Sequence, residues 1–160
     1  MEGKPFKLIG AQATGCSPIT KAVKSGNPEY QPQKPSTIAR SLAIGSPADG
    51  YYAARSIMTT GGAGEDVTDD EIVGGMRLLA ETEGIFGETA AGVTIAVAQK
   101  LFEQGKILRD DETVLCVTGN GMKTLDALQG KLDLGITIRP RLEEFEAAVP
   151  RAGQPVPAAI

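Results

Sequence analysis

Apolar residues fall along this chain in short blocks whose spacing changes from the period of a strand to that of a helix. Phe6 to Ala13 carries Leu8 and Ile9 and reads as a short strand; Ser17-Pro18 then supplies a cap and a first-turn proline for a helix over Ile19 to Lys24. Asn27 to Ser36 holds Pro28, Pro32 and Pro35 without any apolar period, so it reads as a surface loop leading into Thr37 to Gly45. Pro47 to Thr60 is a helix candidate closed by Gly61-Gly62. Thr68-Asp-Asp-Glu71 has the form of a capping box, in which the threonine hydroxyl and the glutamate carboxylate each satisfy a free backbone N–H. The helix behind it sets Ile72, Val73, Met76, Leu79 and Ala80 at helical spacing and turns Asp69, Asp70, Arg77 and Glu81 outward.

The block from Glu88 to Phe102 has scarcely any polar face, which predicts a largely buried helix. Its small first residues, Ala90, Ala91 and Gly92, permit close backbone approach at an end that favours anionic or acceptor groups. Ile107 to Thr113 is a charged connection. Val114 to Val117, apolar at every position, reads as a parallel strand buried on both faces that delivers Thr118 to the mouth of a sheet. Leu134 to Ile138 is a further strand candidate, and Arg141 to Ala148 a short helix with Leu142 and Phe145 inward. No internal repeat is evident. Alternation of strand and helix predicts an α/β fold: three αβα layers around a mostly parallel sheet.

Composition removes whole classes of function. The chain has 160 residues, 41% hydrophobic and 22% charged, which suits one globular domain with an adequate core. A net charge of -4 with no basic block argues against binding nucleic acid or an anionic membrane. There is no histidine, and Cys16 and Cys116 lie far apart, so neither a zinc site nor a histidine-based triad fits. Both thiols are expected to be reduced. No signal-peptide pattern opens the sequence and no apolar run approaches the roughly 20 residues that span a bilayer, so the expected location is cytoplasmic.

Several constellations could carry chemistry, and most have a plainer reading. Gly119 to Thr124 superficially resembles a phosphate loop, but Met122 stands where that loop needs glycine, and the upstream glycine spacing is wrong. Gly61 to Gly64 is explained by a helix C-cap followed by a flexible turn ahead of Val67-Thr68. The acid pairs Asp69-Asp70, Asp110-Asp111 and Glu143-Glu144 belong to helix starts or polar loops. Glu88 has two readings that sequence does not separate. It is either a helix N-terminal carboxylate or a partly desolvated functional group between Phe86-Gly87 and a helix of small residues.

Five segments in order carry a family resemblance: Ile9 to Ile19, Thr37 to Pro47, Val67 to Ile72, Glu83 to Gly92, and Val117-Thr-Gly-Asn-Gly-Met-Lys123. Together they resemble the carboxyl-terminal part of the threonine synthases, pyridoxal-phosphate enzymes of the tryptophan-synthase-β, or fold type II, group. The resemblance implies that residues 1–149 are the later part of the large domain of such an enzyme, followed by a disordered Pro/Ala-rich tail over 150–160. It implies a pyridoxal 5'-phosphate site in which the Thr118 hydroxyl hydrogen-bonds the ring nitrogen, Gly119 and Gly121 let the backbone turn under the ring, and Glu88 lies near the cofactor. Gly87 and Ala90 would line the same pocket, with the Ala13-Thr14-Gly15 turn beside the ring. Two positions depart from the family pattern: Thr89 replaces a usual proline and Thr124 a usual aspartate. No segment matches the family's Schiff-base lysine or phosphate-cradling loop, and Lys123 does not match the former. The resemblance thus implies a chain inactive by itself, needing an amino-terminal portion or companion subunit and tending to homo-oligomerise. The complete enzyme would convert O-phospho-L-homoserine and water to L-threonine and phosphate. The alternatives are a related threonine or serine dehydratase fragment and a non-catalytic oligomerising domain of the same fold.

Overall fold

The computed structural model describes residues 5–131 and 137–148. Contacts divide the chain into two units, Met1–Ala127 and Leu128–Ile160. In the first, strand β1 (Ile9–Ala13) pairs in parallel with β2 (Ala63–Val67), Gly10 opposite Gly64 and Ala13 opposite Val67. Between them run helices α1 (Pro18–Ser25) and α2 (Gly50–Thr59); after β2 come α3 (Asp69–Glu83) and α4 (Thr89–Glu103). This is the expected α/β arrangement, a parallel sheet with helices packed against it.

Each glycine of the paired strands makes room for a helix. A Cβ on Gly10 would stand 2.8 Å from Ile57 Cδ1 of α2, and one on Gly64 would stand 3.1 Å from Thr20 Cα of α1. α4 packs on both strands and, most extensively, on α3. Their crossing is tight because Gly75 meets the Gly92 carbonyl and Gly92 meets the Ile72 carbonyl, with Ile72, Val73, Met76, Leu79, Val93, Val97 and Leu101 buried around them. The capping box holds as the sequence predicts: Glu71 N donates to Thr68 Oγ1 at 3.3 Å and Thr68 N to Glu71 Oε2 at 2.6 Å.

α1 is capped differently from expectation. Pro18 does open it, but the Ser17 hydroxyl makes no cap bond. Its place is taken by distant side chains: Gln33 Oε1 accepts from Ser17 N at 3.1 Å, and Gln12 Oε1 accepts from Thr20 N at 2.9 Å. The same Gln33 residue ties the proline-rich loop shut, its N–H donating to Gly45 O at 3.0 Å. Asp69 then anchors the loop to the start of α3, accepting from Thr37 Oγ1 at 2.6 Å and Ile38 N at 3.2 Å.

Other sequence expectations need correction. Ala63 to Val67, where the sequence predicts a turn and a short segment, is a strand; Gly61, at φ +65°, follows the end of the preceding helix, and the chain pairs with β1 from Ala63 onward. Val114 to Val117 is not a buried strand. Val114 is 84% exposed, Leu115 and Cys116 are exposed, and the Val117 N–H folds back onto Leu115 O at 3.0 Å instead of joining a ladder. An apolar strand needs neighbouring strands to hydrogen-bond, and the described sheet has two, paired with each other. Phe102 on α4 is exposed where burial was expected.

In the second unit, helix α5 (Leu142–Ala148) forms as predicted, yet Leu142 and Phe145 are exposed, not inward. A seven-residue helix buries a face only against another element. Of the expected strand Leu134 to Ile138, positions 134–136 lie outside the described residues, and Thr137 and Ile138 have no regular secondary structure; the tail over 150–160 also lies outside them.

Candidate cofactor-binding site

The start of α4 and the loop after Val117 are joined by a short antiparallel bridge, Gly87 opposite Asn120. Glu88 N donates to Gly119 O at 3.2 Å and Gly121 N to Phe86 O at 2.9 Å. Two segments more than thirty residues apart in sequence are thereby held in register, and the sequence-predicted residues Gly87, Glu88, Thr118 and Gly119 come together.

The bridge requires its glycines. Gly119 lies at φ +73°, and a Cβ there would run into the Glu88 carboxylate; a Cβ on Gly121 would lie 2.6 Å from the Phe86 ring. A Cβ on Gly87 would crowd Ala91 and come within 3.3 Å of Leu79 Cδ2. Val117 packs on the buried cluster of Leu79, Ala91 and Ile95, which seats the loop on α3 and α4. Thr118 follows directly, exposed, and its side chain makes no hydrogen bond among the described residues.

Glu88 is 8% exposed and is the N-cap residue of α4, but its carboxylate caps nothing. It lies against Gly119 with Lys123 Nζ 3.6 Å from its Oε2. A carboxylate this buried needs a compensating charge, and Lys123, otherwise exposed, supplies it. Ala90 is half-buried in the first turn of α4.

Thr89 and Thr124 are the two positions that depart from the family pattern. They touch: Thr89 N donates to Thr124 Oγ1 at 3.3 Å, at the point where a break in the 3₁₀ turns over Gly121–Leu128 swings Thr124 toward α4. The Thr89 hydroxyl is itself buried without a partner. No local pattern could have shown the pair, whose members are 35 positions apart. The Ala13-Thr14-Gly15 turn sits at the carboxyl end of β1, held by Thr14 N to Val67 O at 2.7 Å and Ser36 N to Gly15 O at 2.9 Å. It makes no hydrogen bond to the Thr118 loop among the described residues.

Comparison with known proteins identifies the family. The profile of the family described as "Pyridoxal-phosphate dependent enzyme" matches residues 1–119. The threonine synthase of Methanocaldococcus jannaschii is 43% identical over 122 residues, covering 76% of this chain and 30% of that protein. The threonine synthase of Methanosarcina acetivorans is 43% identical over 113 residues, 70% of this chain and 28% of its own length. That of Halalkalibacterium halodurans is 32% identical over 124 residues, 74% of this chain and 35% of its own length. The chain therefore spans about a third of these relatives, in their carboxyl-terminal part. With that profile matching most of its length, and with relatives 43% identical over more than two thirds of it, the chain belongs to the pyridoxal-phosphate dependent enzyme family.

Proposed function

We propose that this chain supplies the carboxyl-terminal wall of a threonine synthase, which converts O-phospho-L-homoserine and water to L-threonine and phosphate. The observation that carries this reading is the Gly87–Asn120 bridge, which holds the loop of exposed Thr118 to the head of α4, with Gly119 against the buried Glu88 carboxylate.

The residues present fit one edge of a pyridoxal-phosphate ring. Thr118 has a free hydroxyl, the backbone at Gly119 turns where no side chain fits, and Glu88 stands behind it. When bound, the cofactor supplies an electron-withdrawing ring to a substrate attached to it. Thr118 would hold the ring nitrogen by a hydrogen bond that leaves it uncharged, since a hydroxyl, unlike an aspartate, does not stabilise a protonated ring. Glu88, balanced by Lys123, would set the field behind the ring. Gly87 and Ala90 would complete that wall.

The lysine that attaches the cofactor and the loop that holds its phosphate would come from an amino-terminal portion or a companion subunit, and the assembled enzyme would act in the cytoplasm as a homo-oligomer. The related dehydratase activity is the alternative chemistry; the Thr37 to Pro47 segment favours the synthase. Phosphate release from O-phospho-L-homoserine tests the reading. No release is expected from the chain by itself, and release is expected after adding an amino-terminal companion. Turnover by the chain without a companion would overturn it.

A further inference from the structure

Helix α2 has one face inside and one outside. Gly50, Ala54 and Ile57 are buried at the spacing of a single helical stripe, and Tyr52 projects from the opposite side, 58% exposed. Asp49, also exposed, lies three residues before Tyr52, and exposed Arg55 lies three residues after it. The row Asp49, Tyr52, Arg55 therefore runs from a negative through an aromatic to a positive group, in steps of about 4.5 Å along the helix axis.

Neither charge is engaged by an ion pair. The Asp49 carboxylate stands at the N-cap position but makes no cap bond, and no cation pairs with it among the described residues. The Arg55 guanidinium has no carboxylate partner among them either. It rests on two tyrosines, 5.6 Å from the Tyr51 ring centre and 5.2 Å from that of Tyr52, and the two rings meet edge to face at 5.4 Å. A guanidinium stacked on aromatic rings is held in place with the N–H groups at its edge still free for a carboxylate. Fixing the side chain in advance lowers the entropic cost of forming that pair.

We propose that this face of α2 is a dimerisation surface whose occupant is the same face of a second copy of the chain. The charge pattern argues for that occupant. A two-fold dimer sets one patch against itself, so a charge at one end of the row must meet its opposite from the other end. Turned end for end about a two-fold axis at Tyr52, the row does this: Asp49 of each copy faces Arg55 of the other, and the two Tyr52 rings meet at the centre. A singly signed partner of another kind would be repelled by one end of the row. Laying two rows of this i, i+3 kind together crosses the helices steeply, so the contact concentrates on the central residues. Tyrosine and arginine are the types that dominate such centres, while the flanking charge pairs set register and specificity. The dimer surface does not depend on the reaction proposed above.

Sedimentation velocity of the chain should show a dimer that weakens as salt is raised. Asp49→Arg leaves both ends of the row positive and Arg55→Asp leaves both negative, so each should weaken the dimer by about tenfold or more. The double variant, Asp49→Arg with Arg55→Asp, reverses the row and keeps it self-complementary, so the dimer should return. Mixing the two single variants should likewise yield a heterodimer, because each supplies the sign that the other lacks. Since Asp49 makes no cap bond and Arg55 is exposed, the far-ultraviolet circular dichroism of the variants should match that of the parent chain.

Three results overturn the proposal. A chain that stays monomeric up to millimolar concentration leaves the face to a partner of another kind. A dimer indifferent to both single substitutions has its contact elsewhere on the molecule. Loss of the dimer in the single variants, with no recovery in the double variant or in the mixture, removes the pairing of Asp49 with Arg55 and with it the two-fold arrangement at Tyr52. None of these readouts is phosphate release, so the reaction stands or falls separately.

Discussion

Glu65 is 6% exposed in β2, a position where a carboxylate persists only if its charge is matched. Burial works against its ionisation, but Lys24 bonded to Oε1, the Asp66 N–H and Gln104 Nε2 together prevail and bring its pKa from 4.5 down to about 2. A carboxyl whose folded pKa is depressed stabilises the fold at pH above its unfolded value and loses that stabilisation as pH falls through the folded one. The contribution should thus be complete above 4.5 and vanish toward 2. Glu71 contributes with the same sign, since the bond from the Thr68 N–H lowers its pKa as well. Glu65→Gln should cost on the order of 2 kcal/mol at neutral pH and little at about pH 2, where the folded carboxyl itself is being protonated. Urea midpoints at the two pH values measure this, and an equal loss at both would show that packing, not charge, explains the residue. Thr124 offers a second test, because its hydroxyl accepts the Thr89 N–H at the head of α4. Thr124→Val keeps the shape and strands that donor, so it should destabilise by about 1 kcal/mol, while Thr124→Ser should not. In a Thr89→Pro background no N–H remains to strand, and the cost of Thr124→Val should disappear. Persistence of the full cost in the double mutant would mean that the two threonines act independently.

At the scale of elements, α3 and α4 owe their close crossing to glycines that differ sharply in what surrounds them. A Cβ on Gly92 would stand 2.7 Å from Met76 Cγ and 3.1 Å from Ile72 Cγ2, and would also press on the Ile72 carbonyl, whereas a Cβ on Gly74, in the same helix as Gly75, would meet nothing within 4 Å. Gly92→Ala should therefore destabilise by about 1 to 3 kcal/mol, because the helix backbones must part. Gly74→Ala should be neutral or stabilising by up to about 1 kcal/mol through helix propensity. Thermal unfolding of both variants distinguishes local crowding from a general intolerance of α3 to substitution. The helices were the legible part of this sequence, since their period, Pro18, the Thr68–Glu71 box and the small residues of α4 all act within a turn or two of chain. Strands were less so. β2 is short and contains Glu65 and Asp66, so neither apolar alternation nor a continuous run marks it; it is a strand because β1 offers a partner. Val114 to Val117 shows the converse, an apolar run with no partner to pair with. Gln33 capping α1 and Thr124 capping α4 are long-range contacts that leave no local signature.

For the molecule as a whole, the site was legible as residues but not as geometry. Thr118, Gly119 and Glu88 could be named from motifs, while the bridge that unites them and the Lys123 ammonium beside Glu88 appear only in the fold. That geometry decides which lysine, if any, of the nine in the chain can attach the cofactor. The aldehyde of pyridoxal phosphate lies across the ring from its nitrogen, so a residue holding the nitrogen and the lysine bonded to the aldehyde must approach from opposite sides. If Thr118 holds the ring nitrogen as proposed, Lys123 would be on the nitrogen side: it lies five positions beyond Thr118 in sequence, with its Nζ 3.6 Å from Glu88 Oε2. Lys24 and Lys100 are engaged elsewhere, the first with Glu65 and Asp66 and the second with the Asp66 carbonyl and Glu71. Lys21 bonds Gln33 beside α1. The chain incubated with pyridoxal phosphate and reduced with borohydride should thus carry scattered, substoichiometric label on its lysines. In a complex with an amino-terminal companion, peptide mass spectrometry should find one stoichiometric site, on the companion, and Lys123→Met should leave it unchanged. Stoichiometric modification of Lys123 would place the aldehyde on the Glu88 side and so reverse the orientation of the ring that Thr118 implies.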